Sequence, residues 1–243
     1  MEKTTAIPRS SLGESVYRLL WDRILDRRLH PGEKLSDLRL SDELGVSRTP
    51  VREALHRLVQ DGIVRAEPNR GFYVASFSVR DIEEVYDLRA ALEAAALEAA
   101  APHLDPAMLR AALDQLDAIE RQIGADESTD EYQRAASAFL EADRSFHRAL
   151  AELAGNSRLS AVVEGLWAQI AVFQRAGTFR HTTTEASIRY HRRIIDALLG
   201  GDVAAAVRLL KEHIADVKVR ALEDLAAFAE ATDSGDPRGD TAL

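Results

Sequence analysis

Residues 45–58, GVSRTPVREALHRL, decide how the first part of this chain folds. Gly45 can take the positive φ that a tight turn between two helices needs. Ser47 or Thr49 can cap the helix that follows, and Pro50 suits its first turn, where a missing N–H costs nothing. Val51, Ala54, Leu55 and Leu58 then recur at helical spacing and predict one apolar stripe. Arg48 and Arg52 stand four apart on a neighbouring face, with Thr49 beside them. A stripe turned inward and a small set of Arg and Thr turned outward suits a helix that enters a major groove. By themselves the two arginines fit a solvated surface helix equally well.

The flanking sequence adds context. Residues 37–44 read as a short helix with Leu38, Leu40 and Leu44 available for packing. After Gly62, two β-prone runs, 63–67 and 71–75, are joined by Pro68-Asn69-Arg70, which predicts a hairpin with a basic tip. Upstream, residues 14–28 form an amphipathic pattern with Val16, Leu19, Leu20, Ile24 and Leu25 on its inner side. His30-Pro31-Gly32 breaks that pattern, and residues 1–12 read as a polar arm. Helix, helix-turn-helix and hairpin together make a winged helix-turn-helix over residues 1–76.

The run LGVSRTPVREALHRLVQDGIV (44–64), followed by NRGFYV (69–74), resembles the DNA-binding domain of the GntR family of bacterial transcription regulators. The resemblance covers roughly residues 15–74. It implies that Arg48 and Arg52, flanked by Ser47 and Thr49, read bases and phosphates of a double-stranded operator. It also implies that Arg70 and Gly71 at the wing tip reach the minor groove or the backbone. Many such proteins place an arginine early in the second helix. Here Leu38 falls at that place, and Arg39 is the nearest arginine.

Composition is that of a soluble globular protein: 243 residues, 46% hydrophobic and 29% charged, without cysteine. Residues 1–13 lack the apolar core of a signal peptide, and no run reaches the length of a membrane span. A cytoplasmic protein without disulfides is expected. The net charge of −9 is unevenly spread. Residues 1–76 hold 13 basic and 11 acidic side chains; the remainder holds 18 and 29. The first part is only weakly basic, so two copies acting together would help DNA affinity.

Beyond residue 78 the pattern is helical throughout. Helices are expected from Ser78 to about Ala101, from Asp105 to about Ile123, from a Ser128/Glu131 cap to Gly155, over 158–176, over 184–199, and from an Asp202 cap to about Ala231. Polar loops are expected at 125–130 and 177–183, and a disordered tail at 232–243. The fold class is therefore mainly α: an N-terminal winged helix-turn-helix with a small β-hairpin wing, then an all-α bundle over 77–231.

Asp143 and His147, in DRSFH (143–147), share one helix face with Phe139 and Leu150. His191 and His213 fall mid-helix among Ile194, Ile195, Leu198, Leu209, Leu210 and Val217. Singly, each has an ordinary reading. His147 suits a satisfied core histidine, Asp143 a solvated partner of Arg144 or Arg148, and His213 a surface position beside Lys211 and Glu212. His103 and His181 read as exposed loop residues. Burying all four polar groups in one bundle is costly unless they meet. A divalent ion such as zinc, nickel or manganese would give them a common partner.

A second resemblance bears on these positions. LRAALEAAALEAA (88–100), the Asp143/His147 pair, GNSRL (155–159) and YHRRIIDALLGGDVAAAVRLLKEHI (190–214) resemble the all-helical FCD-type ligand-binding domain of the FadR-like branch of that family. The likeness implies metal ligands at Asp143, His147, His191 and His213. It also implies a small organic-acid effector whose carboxylate displaces water from the ion. Arg89 matches a family arginine that would meet the carboxylate bidentately; the alternative is an Arg89–Glu93 surface pair. The expectation is a homodimeric repressor, not an enzyme, with no membrane partner. Two rival readings are a metal-dependent helical enzyme built on the same four residues and a sensor of the metal itself.

Overall fold

The computed structural model describes residues 9–123, 129–176 and 181–233. The described residues fall into two compact units. One is drawn from residues 9–78, 168–176 and 225–233, the other from residues 79–123, 129–167 and 181–224.

The first unit comprises α1 (Arg9–Leu25), β1 (Lys34–Leu35), α2 (Asp37–Leu44), α3 (Arg48–Gln60), β2 (Val64–Glu67) and β3 (Gly71–Val74). Val51, Ala54, Leu55 and Leu58 are all buried, as their spacing predicts. They pack with Val16, Leu20 and Ile24 of α1 and with Leu35, Leu40, Ile63, Val64 and Val74. Each fully buried aliphatic contributes about 1.5–3 kcal/mol, so this stripe fixes which face of α3 looks outward. Gly45 ends α2 at φ 64°, a conformation that a side chain with a Cβ resists. The N–H of Val46 reaches Ser41 O at 3.1 Å, closing the turn. At the other end of α2, Ser36 Oγ accepts from Arg39 N–H at 3.3 Å.

Four details differ from the sequence expectation. α1 already includes residues 9–12, which read as arm, and it stops at Leu25 because Arg27 turns to φ 55°. Leu38 is 55% exposed. Two residues from Leu40 on a helix lies nearly the opposite face, so both cannot pack inward. Ser47 holds the capping position of α3 with extended backbone, yet its side chain makes no capping hydrogen bond. The wing is a three-stranded antiparallel sheet of order β1-β3-β2, with Lys34 opposite Tyr73 and Val64 opposite Val74. A two-residue strand is too short to leave a periodic signal.

The elements after the wing are helical: α4 (Val79–Ala100), a 3-10 turn (Ala101–His103), α5 (Pro106–Gln122), α6 (Asp130–Leu153), α7 (Ser157–Ala176), α8 (His181–Leu199) and α9 (Val203–Asp233). They make up the second unit except for residues 168–176 of α7 and 225–233 of α9, which count with the first. Among the described residues no strand follows the wing. Asp105 caps α5 by accepting from Ala107 N–H at 2.8 Å, and Asp202 caps α9 by accepting from Ala205 N–H at 2.9 Å. The cap of α6 is Thr129, whose Oγ1 accepts from Tyr132 N–H at 3.2 Å. Ser128, the expected cap, lies outside the described residues, as do 125–127 of the expected loop. α8 starts at His181, three residues earlier than expected, and α9 runs two residues past Ala231. His103 is exposed in the 3-10 turn.

Leu109, Leu116 and Ile119 of α5 pack on Phe139, Ile188 and Ile195. Four helices interrupt their buried stripes with polar residues. Arg89 and Glu93 do so in α4, Asp143 and His147 in α6, Thr184 and His191 in α8, and His213 in α9. Each is at most 4% exposed, so the polar groups must meet one another or a ligand.

Candidate functional site

On the first unit, α3 turns its arginines outward. The side chains of Arg48 and Arg52 are 56% and 58% exposed, and Ser47, Thr49 and Arg39 are exposed near them. Asp37, in the first turn of α2, faces both arginines. Its Oδ2 accepts from Arg48 Nη2 at 2.8 Å and lies 3.9 Å from Arg52 Nε. The Arg48 hydrogen bond holds the Asp37 carboxyl below the ordinary range. This acid sits eleven residues before Arg48, and no short-range pattern reveals it. At the wing tip Asn69 and Gly71 take φ 61° and 106°, which expose Arg70 to solvent opposite Glu67.

On the second unit, Asp143, His147, His191 and His213 come together, as the sequence expects. One ligand atom from each lies within 4.8 Å of all the others. Asp143 Oδ1 is 3.1 Å from His191 Nε2, 3.6 Å from His147 Nε2 and 3.8 Å from His213 Nε2. The Nε2 atoms of His147 and His191 are 3.2 Å apart. Donors about 2.1 Å from one ion stand roughly 3 Å apart at right angles and about 4.2 Å apart when opposed. The four residues therefore fit a divalent ion with little movement.

The neighbours aim these imidazoles. His191 directs Nδ1 at Ser187 O, 2.8 Å away, which leaves Nε2 for the cluster. His147 directs Nδ1 at Glu93 Oε2, 2.5 Å away, again leaving Nε2 inward. A carboxylate behind a histidine in this way fixes the tautomer and raises the ligand's basicity. Among the described residues His213 finds no hydrogen-bond partner at either ring nitrogen although it is 1% exposed. A buried nitrogen left so costs about 1–3 kcal/mol, which coordination would offset.

Charge follows the same geometry. Burial pushes Asp143 up, but the histidines around it, His147 and His191 foremost, outweigh it and hold the carboxyl well below its usual value. Burial likewise opposes ionisation of Glu93, yet Arg89 and His147 bring it to about 2. Burial drives His213 down to about 3 despite Asp143, so this imidazole is neutral and ready to bind. For His147 burial acts downward and Glu93 acts upward, with a net rise.

Arg89 does pair with Glu93, Nε to Oε1 at 2.9 Å, but the pair is buried, at 1% exposure for each side chain, and not on the surface. Sequence reasoning missed two members of this site. Glu93 was legible only as a partner of Arg89, although both fall on the stripe Ile82, Tyr86, Leu97. Trp167 gave no polar signal; its ring lies 5.4 Å from that of His147 and 4.3 Å from the Arg89 guanidinium carbon.

Comparisons with known proteins agree with this organisation. Residues 12–74 match the model of the bacterial regulatory proteins of the gntR family, and residues 84–216 match the FCD domain. An uncharacterised helix-turn-helix transcriptional regulator in an unstable DNA locus of Streptomyces ambofaciens is 31% identical, over 82% of this chain and 80% of its own. The transcriptional repressor RspR of Escherichia coli K12 is 28% identical, over 88% and 91%. A GntR transcriptional regulator of Rhodococcus sp. RHA1, of known structure, superposes with a TM-score of 0.67 at 29% identity, covering 88% of this chain and 98% of that one. The chain belongs to the GntR family of DNA-binding transcription regulators and carries an FCD domain. That family regulates transcription, which removes the enzyme reading. No helix among the described residues is long and apolar enough to cross a membrane.

Proposed function

We propose that this protein is a cytoplasmic homodimeric repressor whose helical domain, residues 77–231, holds a divalent ion and binds a small carboxylate that alters operator binding. The observation that carries the reading is the convergence of Asp143, His147, His191 and His213, all buried, with His213 otherwise unpartnered. The mixed imidazole and carboxylate set suits zinc, nickel or manganese. When bound, the ion supplies Lewis-acidic positions for a carboxylate oxygen. The chain's own residues do the rest. Glu93 and Ser187 orient two of the imidazoles, and Arg89 brings a buried cation to the acid.

The DNA half of the reading assigns base and phosphate contacts to Ser47, Arg48, Thr49 and Arg52, with Arg39 and the wing residues Arg70 and Gly71 against the backbone or minor groove. A dimer places two such faces on two half-sites of a near-palindromic operator. The acid then acts as a population shift, favouring a dimer whose arms no longer match the half-site spacing.

The test combines elemental analysis of protein purified without chelator with an operator-release assay. One divalent ion per chain is expected, lost in His191→Ala together with the response to the acid. Metal-free wild-type protein with an unchanged acid response in His191→Ala would overturn the reading. Metal that alters operator binding by itself, with no acid present, would favour a metal sensor.

A further inference from the structure

The proposed ion uses the Nε2 atoms and Asp143, and it leaves a second group of buried donors unused. Arg89 gives Nε to Glu93, while its Nη1 and Nη2 have no hydrogen-bond partner among the described residues at 1% exposure of the residue. The guanidinium carbon lies 4.3 Å from the ring centre of Trp167. Trp167 is 2% exposed, and its Nε1 also has no hydrogen-bond partner among the described residues. The indole face supports the cation but accepts no hydrogen bond from these nitrogens. Glu93 Oε1 accepts from Arg89 Nε, and Oε2 lies in an ion pair with His147, 2.5 Å from its Nδ1. Arg89 Nη1 and Nη2, and Nε1 of the indole that the guanidinium lies over, are therefore buried donors without a hydrogen-bond partner among the described residues.

We propose that Trp167 is a specificity-determining contact: its indole N–H and the Nη atoms of Arg89 together receive one carboxylate of a monoanionic acid. This rests on the carboxylate reading given above. A set made only of donors fits a group made only of acceptors, which a carboxylate is and an alcohol or amide is not. Charge decides between anions. The buried set carries one positive charge on Arg89 and two negative charges on Glu93 and Asp143. A divalent ion brings that set to a single positive charge, and one negative charge from the ligand closes it. A dianion would leave an uncompensated buried charge, which is strongly unfavourable.

The chain has two tryptophans, so an indole nitrogen–proton spectrum has two signals to assign, and Trp21→Phe identifies them. Acetate is the probe, titrated into the full-length, metal-replete protein. The Trp167 signal is expected to move downfield and saturate while that of Trp21 stays. Trp167→Phe keeps an aromatic face against Arg89 and removes only the donor. Calorimetry should show acetate affinity about tenfold weaker in that variant, with metal content unchanged. Sulfate, a dianion of acceptors, should not displace acetate at equal concentration. An unmoved Trp167 signal at saturating acetate, equal affinity in Trp167→Phe, or displacement by sulfate would each overturn the proposal while leaving the carboxylate reading intact. If wild-type protein binds no acetate at all, the carboxylate reading fails and this proposal with it. If Trp167→Phe does not fold, the indole signal of the wild-type protein decides alone.

Discussion

Two ionic arrangements in this molecule use the same residue types and differ in where they sit. On α3, Arg48 and Arg52 stand one turn apart on an exposed face and share Asp37 of α2. On α4, Arg89 and Glu93 stand one turn apart on a buried face and share it with Trp167 and His147. Exposed pairs are screened and contribute about 0–1 kcal/mol, so the first set is free to exchange its partner for DNA. Buried charges stripped of a partner cost several kcal/mol, so the second set is tied to its partners and to any ligand that completes it. Under the proposed function, contact with DNA falls to the first set and response to a small ion or acid to the second.

The sharpest way to break this contrast is to delete one arginine from each set. Arg89→Met leaves Glu93 buried without its cation, and a loss of about 3–5 kcal/mol in urea unfolding is expected. Arg48→Ala should change the same measurement by no more than about 0.5 kcal/mol. Equal losses in the two variants would erase the distinction between the regions.

Chelation addresses the buried set as a whole. An ion present at about a hundred times its dissociation constant stabilises the folded state by roughly 2.7 kcal/mol. Stripping it should lower the melting temperature by several degrees, and added zinc should restore it. A melting curve indifferent to chelator would show that the four residues hold their geometry without metal.

Acid should weaken the metal-free protein with a sign that His213 sets. Its folded value is lowered from 6.5 to about 3, so the unfolded chain binds the proton first as pH falls. Stability is therefore full above about pH 6.5 and drains by about 1.4 kcal/mol per unit as pH drops toward 3. Glu93, lowered from 4.5 to about 2, adds a loss below its ordinary value. His147, raised by Glu93, offsets part of the drain. Urea midpoints at pH 6.5 and pH 5 should differ by about 1–2 kcal/mol. In His213→Asn the difference should shrink; an identical pH slope in that variant would assign the acid sensitivity elsewhere.

The exposed set is tested through DNA. Arg52→Ala should weaken operator binding by about 1–3 kcal/mol and relax base preference, while stability changes by less than about 0.5 kcal/mol. Arg70→Ala should weaken binding more evenly across sequences and flatten its salt dependence. Full operator affinity in Arg52→Ala at matched salt would remove α3 from the base contacts.

Much of the site could be read from the chain because helices repeat at a fixed period. Asp143 and His147 are one turn apart, so their common face was legible without tertiary information, as was the stripe Val51, Ala54, Leu55, Leu58. That His191 and His213 belong to the same cluster followed from the cost of burying them apart and was strengthened by resemblance to a family, because contacts between helices leave no periodic trace. Residues that act across such contacts were harder still. Asp37 meets Arg48 from a different helix, and Glu93 meets His147 from 54 positions away.

By itself the sequence determined the kinds of element and their inward faces: the capped turn at Gly45, the outward arginines of α3, and the helical bundle beyond residue 78. These follow from local sterics, capping and the period of apolar residues, which act over a few positions. Only the tertiary structure decided what burial does to the polar residues. It turned Arg89–Glu93 from a surface pair into a buried one, aimed Nε2 of His147 and His191 at Asp143, and brought Trp167 against the guanidinium. The reason is dielectric and geometric. The energy of a charge depends on what surrounds it in space, and neighbours on other helices are chosen by packing rather than by position along the chain.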